Sequence, residues 1–177
     1  MKLFSVLLLF LAANFTSYAQ EYDSIPRKKI HIHRTTEAPK IDGSLDDEAW
    51  TNAPIATNFV ERMPVNGAPA ADSLDTRVKI VYDDLGIYFG AQMLDPEPEK
   101  ILKELTERDN IGNDDFFFIL LNGYNDRQQS LQFIVTAAGV QYDAKMTNGM
   151  EDSSWNGVWY SEVKINDRSE ERRVGKE

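Results

Sequence analysis

The segment Thr76–Asp95, TRVKIVYDDLGIYFGAQMLD, carries the clearest β pattern in the chain. Apolar side chains recur at every second position from Val78 to Tyr82 and again from Ile87 to Met93. Alternation with a period of two is typical of a strand that buries one face. Residues 83–86 (DDLG) separate the two runs and supply a turn with a glycine. The segment therefore predicts a β-hairpin.

The rest of the chain repeats this pattern and predicts an all-β protein. Phe116–Leu121 is an unbroken apolar run, which is expected of a strand covered on both faces. Alternating runs follow at 131–135, 140–146 and 159–165, separated by turns and polar loops. The helical crossovers that parallel strands require have no room here. We therefore predict an antiparallel β-sandwich of the jelly-roll or immunoglobulin-like kind.

One short helix is predicted ahead of the hairpin. Ser44 is expected to cap it, with Asp47 three residues later as the partner in a capping box. Trp50 would then anchor the helix to the core. Residues 52–75 are rich in Pro, Ala, Asn and Gly, which predicts a long loop with an edge strand near 58–61.

The two ends of the chain differ from this domain, which we assign to residues 30–167. Residues 1–19 have one cation, an apolar run and small terminal residues, as in a secretory signal peptide, with an uncleaved anchor as the alternative. Residues 20–29 are expected to be a linker. Residues 168–177, RSEERRVGKE, lack alternation and predict no strand. We interpret them as a non-native tail on a domain truncated at its C-terminus, with a native charged tail as the alternative.

Composition narrows the functional classes. The chain has 19 Lys and Arg against 29 Asp and Glu, a net charge of −10, which becomes −11 if a leader containing Lys2 is removed. Such a surface repels phosphate backbones, so nucleic acid is not an expected partner. The chain has no cysteine, which excludes disulfides and thiolate sites. Once the signal peptide is cleaved, no membrane-spanning helix is expected.

Catalytic motifs are not found in the sequence. It contains no GxSxG, no HExxH and no phosphate-binding loop. The two histidines, His31 and His33, share one face of a short alternating run, and we expect that face to be solvated rather than to bind a metal. We predict no catalytic site in this chain, while a longer protein that contains it would be free to act on glycosyl bonds.

Four segments together resemble the family 9 carbohydrate-binding modules. They are APKIDGSLDDEAW (38–50), the hairpin segment 76–95, NDDFFFILLNGYNDRQQSLQFIVTAAGVQYDA (113–144) and WNGVWYSEVKIND (155–167). The resemblance implies a β-sandwich that binds glycan and targets a larger exported protein involved in carbohydrate catabolism. It is strongest to N-terminal modules of exported Gram-negative proteins, which implies a location in the periplasm, outer membrane or cell surface, and a β-rich C-terminal region as a partner.

Sugar binding needs an aromatic platform and planar polar groups, and several residues offer them. Trp155 and Asn156 lie in a polar loop, where Trp155 is either a ligand platform or a lid over the sandwich edge. Trp159 is a further ligand candidate, although its alternation with Val163 favours the core. The loop before Asp114 supplies the last two ligand candidates, Arg108 and Asn113. The alternative for Arg108 is a solvated ion pair with Glu107 or Asp109.

Acidic pairs raise the question of a structural calcium ion, which the resemblance also implies. Asp114 and Asp115 are the candidates, because calcium prefers six to eight oxygen ligands. The alternative is that these residues cap turns, where Asp is common. Two alternatives to glycan targeting also stay open. The domain would either pack against a C-terminal region of the same protein, or serve as an accessory domain of a glycoside hydrolase.

Overall fold

A computed structural model describes residues 28–126 and 128–166, together with the backbone of a strand at 169–176. The predicted signal peptide at 1–19 and most of the predicted linker at 20–29 lie outside these residues. The strands are β1 (His33–Arg34), β2 (Ile55–Ala56), β3 (Thr76–Tyr82), β4 (Ile87–Leu94), β5 (Phe116–Leu121), β6 (Gln129–Thr136), β7 (Gln141–Thr147), β8 (Met150–Asp152), β9 (Tyr160–Asn166) and β10 (Ser169–Lys176). One α-helix, α1 (Glu48–Thr51), and 3-10 turns at Asp72–Leu74 and Pro98–Lys100 complete the elements.

Two sheets face each other, which confirms the predicted β-sandwich. The larger sheet has the order β1-β3-β4-β10-β9, and β2 also pairs with β3. The smaller sheet has the order β5-β6-β7-β8 and is antiparallel throughout. Only the short β1 runs parallel to its neighbour among the described strands. None of the described helices is long and apolar enough to cross a membrane.

The hairpin β3–β4 is confirmed with the predicted turn. Asp83 organises that turn, because its carboxylate accepts hydrogen bonds from the backbone N–H groups of Leu85 and Gly86, both at 2.8 Å. The hydroxyl of Tyr88 donates to the same carboxylate at 3.1 Å. Burial raises the pKa of Asp83, but these three hydrogen bonds outweigh it and hold the pKa below its ordinary value.

The main core lies between the two sheets. Inward-facing side chains from both sheets form it: Phe89 of β4, Ile119 of β5, Phe133 and Val135 of β6, and Trp159 just before β9. Each is less than a tenth exposed. Burying a side chain of this size stabilises a fold by about 1.5–3 kcal/mol, so the alternation seen in the sequence has a direct energetic basis.

A second cluster covers the outer face of the larger sheet. Val81 and Tyr88 point away from the main core and pack against Trp50, which is 1% exposed. This confirms Trp50 as the anchor of the helix. The approach is close at Gly90, where an added Cβ would lie 2.4 Å from Cδ2 of Leu45. A glycine at this position is therefore what lets the segment reach the sheet.

The predicted boundaries near this helix were wrong. The helix begins at Glu48, with Asp47 rather than Ser44 at the N-cap position. The backbone N–H of Ser44 instead donates to the Asp42 carboxylate at 3.0 Å, which closes a local turn. In place of the edge strand expected near 58–61 the structure has one isolated antiparallel bridge, between Val60 and Pro69. The pairing with β3 falls on Ile55–Ala56.

β5 corrects a second expectation. Among the described residues it is an edge strand of the smaller sheet, and one of its faces packs on the core. The other face presents Phe116, Phe118 and Leu120, which are 47, 42 and 54% exposed. A continuous apolar run predicts two covered faces, but composition alone does not determine whether a neighbouring element packs on each face.

The C-terminal segment also departs from its prediction. Ser169–Lys176 forms a strand that pairs with β4 on one side and with β9 on the other. Its pairing uses backbone groups, which every non-proline residue carries, so a lack of apolar alternation did not prevent it. β9 then stands at the end of the described sheet order.

Candidate functional site

A buried carboxylate organises one end of the sandwich. Asp143 lies on β7 opposite Phe133, on the inward face of the smaller sheet, and its relative exposure is 0%. Its oxygens accept hydrogen bonds from the Arg108 guanidinium, from the Trp159 indole N–H at 3.1 Å and from the Gly157 backbone N–H at 2.6 Å. A buried charge is tolerated only when it is paired and hydrogen-bonded, and Asp143 meets both conditions.

Arg108 is held from three sides. Its guanidinium donates to the Gln141 side-chain oxygen, to Asp143 and to Oδ1 of Asn156, the last at 3.1 Å. The loop that carries it is fixed by the backbone N–H of Asp109, which donates to the Gln141 carbonyl at 3.0 Å. The Arg108 side chain remains 39% exposed. Its planar guanidinium is therefore held in place by protein groups and is still accessible to solvent.

The segment 155–159 positions two indoles at this end. Trp155 is half-buried and meets Phe133 edge to face, with ring centroids 6.0 Å apart and planes inclined by 74°. Its ring folds back over Gly157, where an added Cβ would lie 2.9 Å from the indole. Trp159 also packs on Phe133, at 5.4 Å, and is 4% exposed. Trp155 therefore keeps an accessible part, whereas Trp159 belongs to the core.

An open groove of ≈320 Å³ runs beside Arg108. Gln141 and Ser161 line it together with the β6–β7 turn, and the Gln141 amide donates to Ser161 Oγ at 2.9 Å. A second bond from that amide reaches the Trp159 carbonyl at 3.4 Å and ties the groove to the core. We refer to Arg108, Gln141, Asp143, Trp155 and Asn156 as the arginine cluster.

The structure brings four of the five candidate ligand residues together. Arg108 and Asn156 are in direct contact, while Trp155 and Trp159 join them through Gly157 and Asp143. Asn113 is exposed farther along the same loop, and the hydrogen bonds of Arg108 go to other residues. The prediction that these residues touch a ligand remains a prediction.

Sequence reasoning missed Asp143 and Gln141. The apolar alternation at 140–146 runs through Val140, Tyr142 and Ala144, which predicts that this set faces the core. The register places Asp143 opposite Phe133, so the polar set faces inward at this end. The available signal was the pairing partner: Phe133 lies on the apolar face of β6, and its neighbour in β7 must share that face.

The two calcium candidates contact the backbone of the preceding segment. Asp115 accepts a hydrogen bond from the N–H of Leu102 at 2.9 Å. Asp114, which is 8% exposed, accepts one from the N–H of Glu104 through Oδ1, while its buried Oδ2 has no hydrogen-bond partner among the described residues. Within residues 28–126 and 128–166, no group of three or more His, Cys, Asp or Glu side chains could hold a metal ion. Their contacts fit loop capping, and two carboxylates fall short of a calcium shell.

The fold is similar to that of solved carbohydrate-binding modules. One is "a carbohydrate binding module family 9 (CBM9) from Caldicellulosiruptor kristjanssonii in complex with cellotriose", at 18% identity and a TM-score of 0.59, covering 84% of this chain and 67% of that one. A second, from the same organism "in complex with glucose", gives 18% identity and a TM-score of 0.57, covering 82% and 67%. The chain thus has a family 9-like fold. No protein-family model and no curated protein matches it.

Proposed function

We propose that this protein binds carbohydrate at the arginine cluster. The observation that carries the proposal is the exposed guanidinium of Arg108, fixed by a fully buried carboxylate and flanked by Asn156 and a half-buried Trp155. Sugar hydroxyls are bound by planar donors and acceptors, and the apolar face of a pyranose packs on an indole. All three groups stand at one end of the sandwich.

Preorganisation is the main advantage of this arrangement. Asp143 and Gln141 already hold Arg108, so a ligand would not have to immobilise a flexible arginine side chain. Ordering such a side chain costs about 0.5–1.5 kcal/mol on binding. The groove beside Arg108 is open, and Trp155 and Asn156 lie outside its lining, so a ligand that contacts all three residues would lie on a shallow surface. We therefore expect weak affinity.

The ligand class follows from charge and from the fold relatives. The chain is acidic, which disfavours strongly anionic polymers at this surface. The two similar structures were solved with cellotriose and with glucose. A neutral saccharide of the glucose type is therefore the ligand to test first.

We place this activity in a larger exported protein. The apolar leader at 1–19 supports export, with the periplasm, outer membrane or cell surface of a Gram-negative bacterium as the location. A sugar-binding module would concentrate an attached domain on its polysaccharide, as an effective-concentration effect. An attached glycoside hydrolase would gain most, because its substrate is the same polymer.

Calorimetric titration with cellotriose and glucose tests the proposal. We expect Asn156→Ala to weaken cellotriose binding about tenfold, because it removes one hydrogen-bonding group worth about 1–1.5 kcal/mol. Asn66→Ala is the matched control, since Asn66 is exposed in the long loop before β3. The proposal fails if a panel of neutral oligosaccharides gives no heat, or if both variants weaken binding equally.

A second function is favoured by the exposed row on β5. Phe116, Phe118 and Leu120 form an apolar strip on an edge strand, which is a feature of protein interfaces. The partner would be a β-rich C-terminal region of the same protein. Hydrogen exchange of Phe116–Leu121 should then be slower in a longer protein that carries that region than in this chain, and equal exchange would exclude this packing.

A further inference from the structure

The carboxylate of Asp109 lies against the guanidinium of Arg108 in the loop before β5. Its Oδ2 is 3.8 Å from Nε of Arg108, and the Asp109 and Arg108 side chains are 37% and 39% exposed. This separation is too long for a hydrogen bond between the two atoms. A donor and an acceptor therefore stand side by side at the surface, and neither satisfies the other.

Backbone and side-chain contacts hold Asp109 in this position. Its φ is 66°, in the left-handed region that favours glycine, asparagine and aspartate. Its N–H donates to the Gln141 carbonyl at 3.0 Å, and its Oδ1 accepts from the N–H of Asp143 at 3.4 Å. These two contacts tie Asp109 to β7 and leave Oδ2 as the oxygen that lies beside Arg108.

The Nε–H of Arg108 has no hydrogen-bond partner among the described residues. A guanidinium has five N–H donors. Three of them donate to Gln141, Asp143 and Asn156, and all three belong to the two terminal nitrogens. The Nε–H therefore remains for a ligand. Of the two carboxylates paired with Arg108 in the described chain, only Asp109 has an exposed surface, so it is the one that a ligand can reach.

A hydroxyl is the ligand group that matches this pair. It has one donor and two acceptor lone pairs, so a single oxygen can accept from Nε of Arg108 and donate to Oδ2 of Asp109. We propose, building on the proposed carbohydrate binding, that Arg108 and Asp109 together bind one hydroxyl of the saccharide. Asp109 then sets the selectivity of the site. A carboxylate or a methyl ether has no donor for Asp109, and a carboxylate is also repelled by its charge.

The amide of Asn156 adds donors next to this pair. Because arginine has no acceptor, the side-chain oxygen of Asn156 must face the guanidinium. The two N–H donors of the amide are then left for other acceptors, and Asn156 is exposed. A second ligand oxygen can accept from them. The combination favours a neutral saccharide with several free hydroxyls.

Asp109→Asn tests this selectivity with little change of shape, since asparagine also adopts a positive φ. The amide oxygen takes the place of Oδ1, which accepts from Asp143, and the amide nitrogen then lies beside Nε of Arg108. A hydroxyl loses its acceptor, whereas a carboxylate gains a donor. In calorimetric titrations we expect cellotriose binding to weaken about tenfold and the ratio of glucuronate to glucose affinity to rise.

Glu107→Gln is the matched control for this variant. It removes the same charge two residues earlier in the same loop, from an exposed residue. We expect it to leave both the cellotriose affinity and the ratio of glucuronate to glucose affinity unchanged. The unfolding temperature of each variant is measured as well, because a distorted loop would weaken the binding of every ligand rather than change the preference between them.

Three results would overturn this role of Asp109 alone. The first is an unchanged cellotriose affinity in Asp109→Asn while Asn156→Ala still weakens it. The second is equal weakening of cellotriose, glucose and glucuronate, which would indicate a structural role only. The third is the same change of preference in Glu107→Gln, which would indicate a general effect of charge. A parent chain that binds no saccharide would instead overturn the carbohydrate binding itself, and this role with it.

Discussion

Asp143 is the residue on which the arginine cluster depends. A carboxylate with no exposed surface is unfavourable unless donors surround it, and this one receives donors from an arginine, an indole and a backbone amide. These three contacts join the loop before β5, β7 and the segment before β9. A single side chain thereby fixes the relative positions of Arg108 and Trp155.

Asp143→Asn tests this role with little change of shape. One oxygen becomes an amide that faces donors, so a buried group is left unsatisfied, and we expect the free energy of unfolding to fall by about 2 kcal/mol. Cellotriose binding should weaken as well, because Arg108 loses its orientation. Urea unfolding and titration measure the two effects. The exposed Asp72→Asn is the control, and equal stability of both variants would contradict the role.

The prediction of individual residues succeeded where side-chain chemistry was sufficient. Arg108, Trp155 and Asn156 stand out as planar or aromatic groups in polar loops, and the structure brings them together. Asp143 and Gln141 could not be found in the same way. Their role depends on the pairing of β7 with β6, which joins residues that no local pattern connects.

The packing of the α1 segment against the outer face of the larger sheet depends on Gly90. An added Cβ would meet Leu45 at 2.4 Å and the Trp50 ring at 3.3 Å. We expect Gly90→Ala to lower the free energy of unfolding by about 1–2 kcal/mol, since Leu45 must move and the cluster repacks. Thermal unfolding measures the change. Gly123→Ala, where an added Cβ meets nothing within 4 Å, should have little effect.

The β3–β4 turn should show a pH dependence that originates in Asp83. Its pKa lies below the ordinary value of 3.8, so its charged form stabilises the fold above that pH. The contribution is lost as the pH falls through the lower pKa of the folded state. The unfolding temperature of Asp83→Asn should therefore lie below that of the parent at about pH 7, and the gap should shrink at about pH 3.

The neighbouring residue provides the control for this experiment. Asp84→Asn changes a side chain that is 84% exposed and has a surface ion pair with Arg34. Such pairs contribute little to stability, so we expect a much smaller gap at neutral pH. A gap for Asp83→Asn that stays constant from neutral to acidic pH would contradict the assigned hydrogen bonds.

Strands could be predicted where the sequence pattern that defines them lies within the strand and its adjoining turn. The hairpin β3–β4 follows from alternation and a turn, and both strands lie where they were expected. β5 was located correctly, but its exposed face was missed because burial depends on neighbouring strands. The strand at Ser169–Lys176 escaped prediction for a related reason: it fits between β4 and β9 through backbone pairing.

The core and the candidate binding site occupy different parts of the molecule. The main core fills the space between the sheets, the arginine cluster lies at one end of that space, and the cluster around Trp50 covers the outside of the larger sheet. Composition indicated none of this arrangement, because it does not record which side chains the strand pairing brings together. The fold class was predictable from the sequence, while the position of the arginine cluster at one end of the sandwich required the structure.

The most direct test of the account is a nuclear magnetic resonance titration that follows indole N–H signals as cellotriose is added. The chain has three tryptophans, and the structure assigns each a different place. The indole N–H signal of Trp155 should shift most. The signal of Trp159 should shift less, because this buried residue contacts the arginine cluster through Asp143. The signal of Trp50, on the outer face of the larger sheet, should not shift. Saturating shifts of Trp50 alone, or no shift of Trp155, would contradict carbohydrate binding at the arginine cluster.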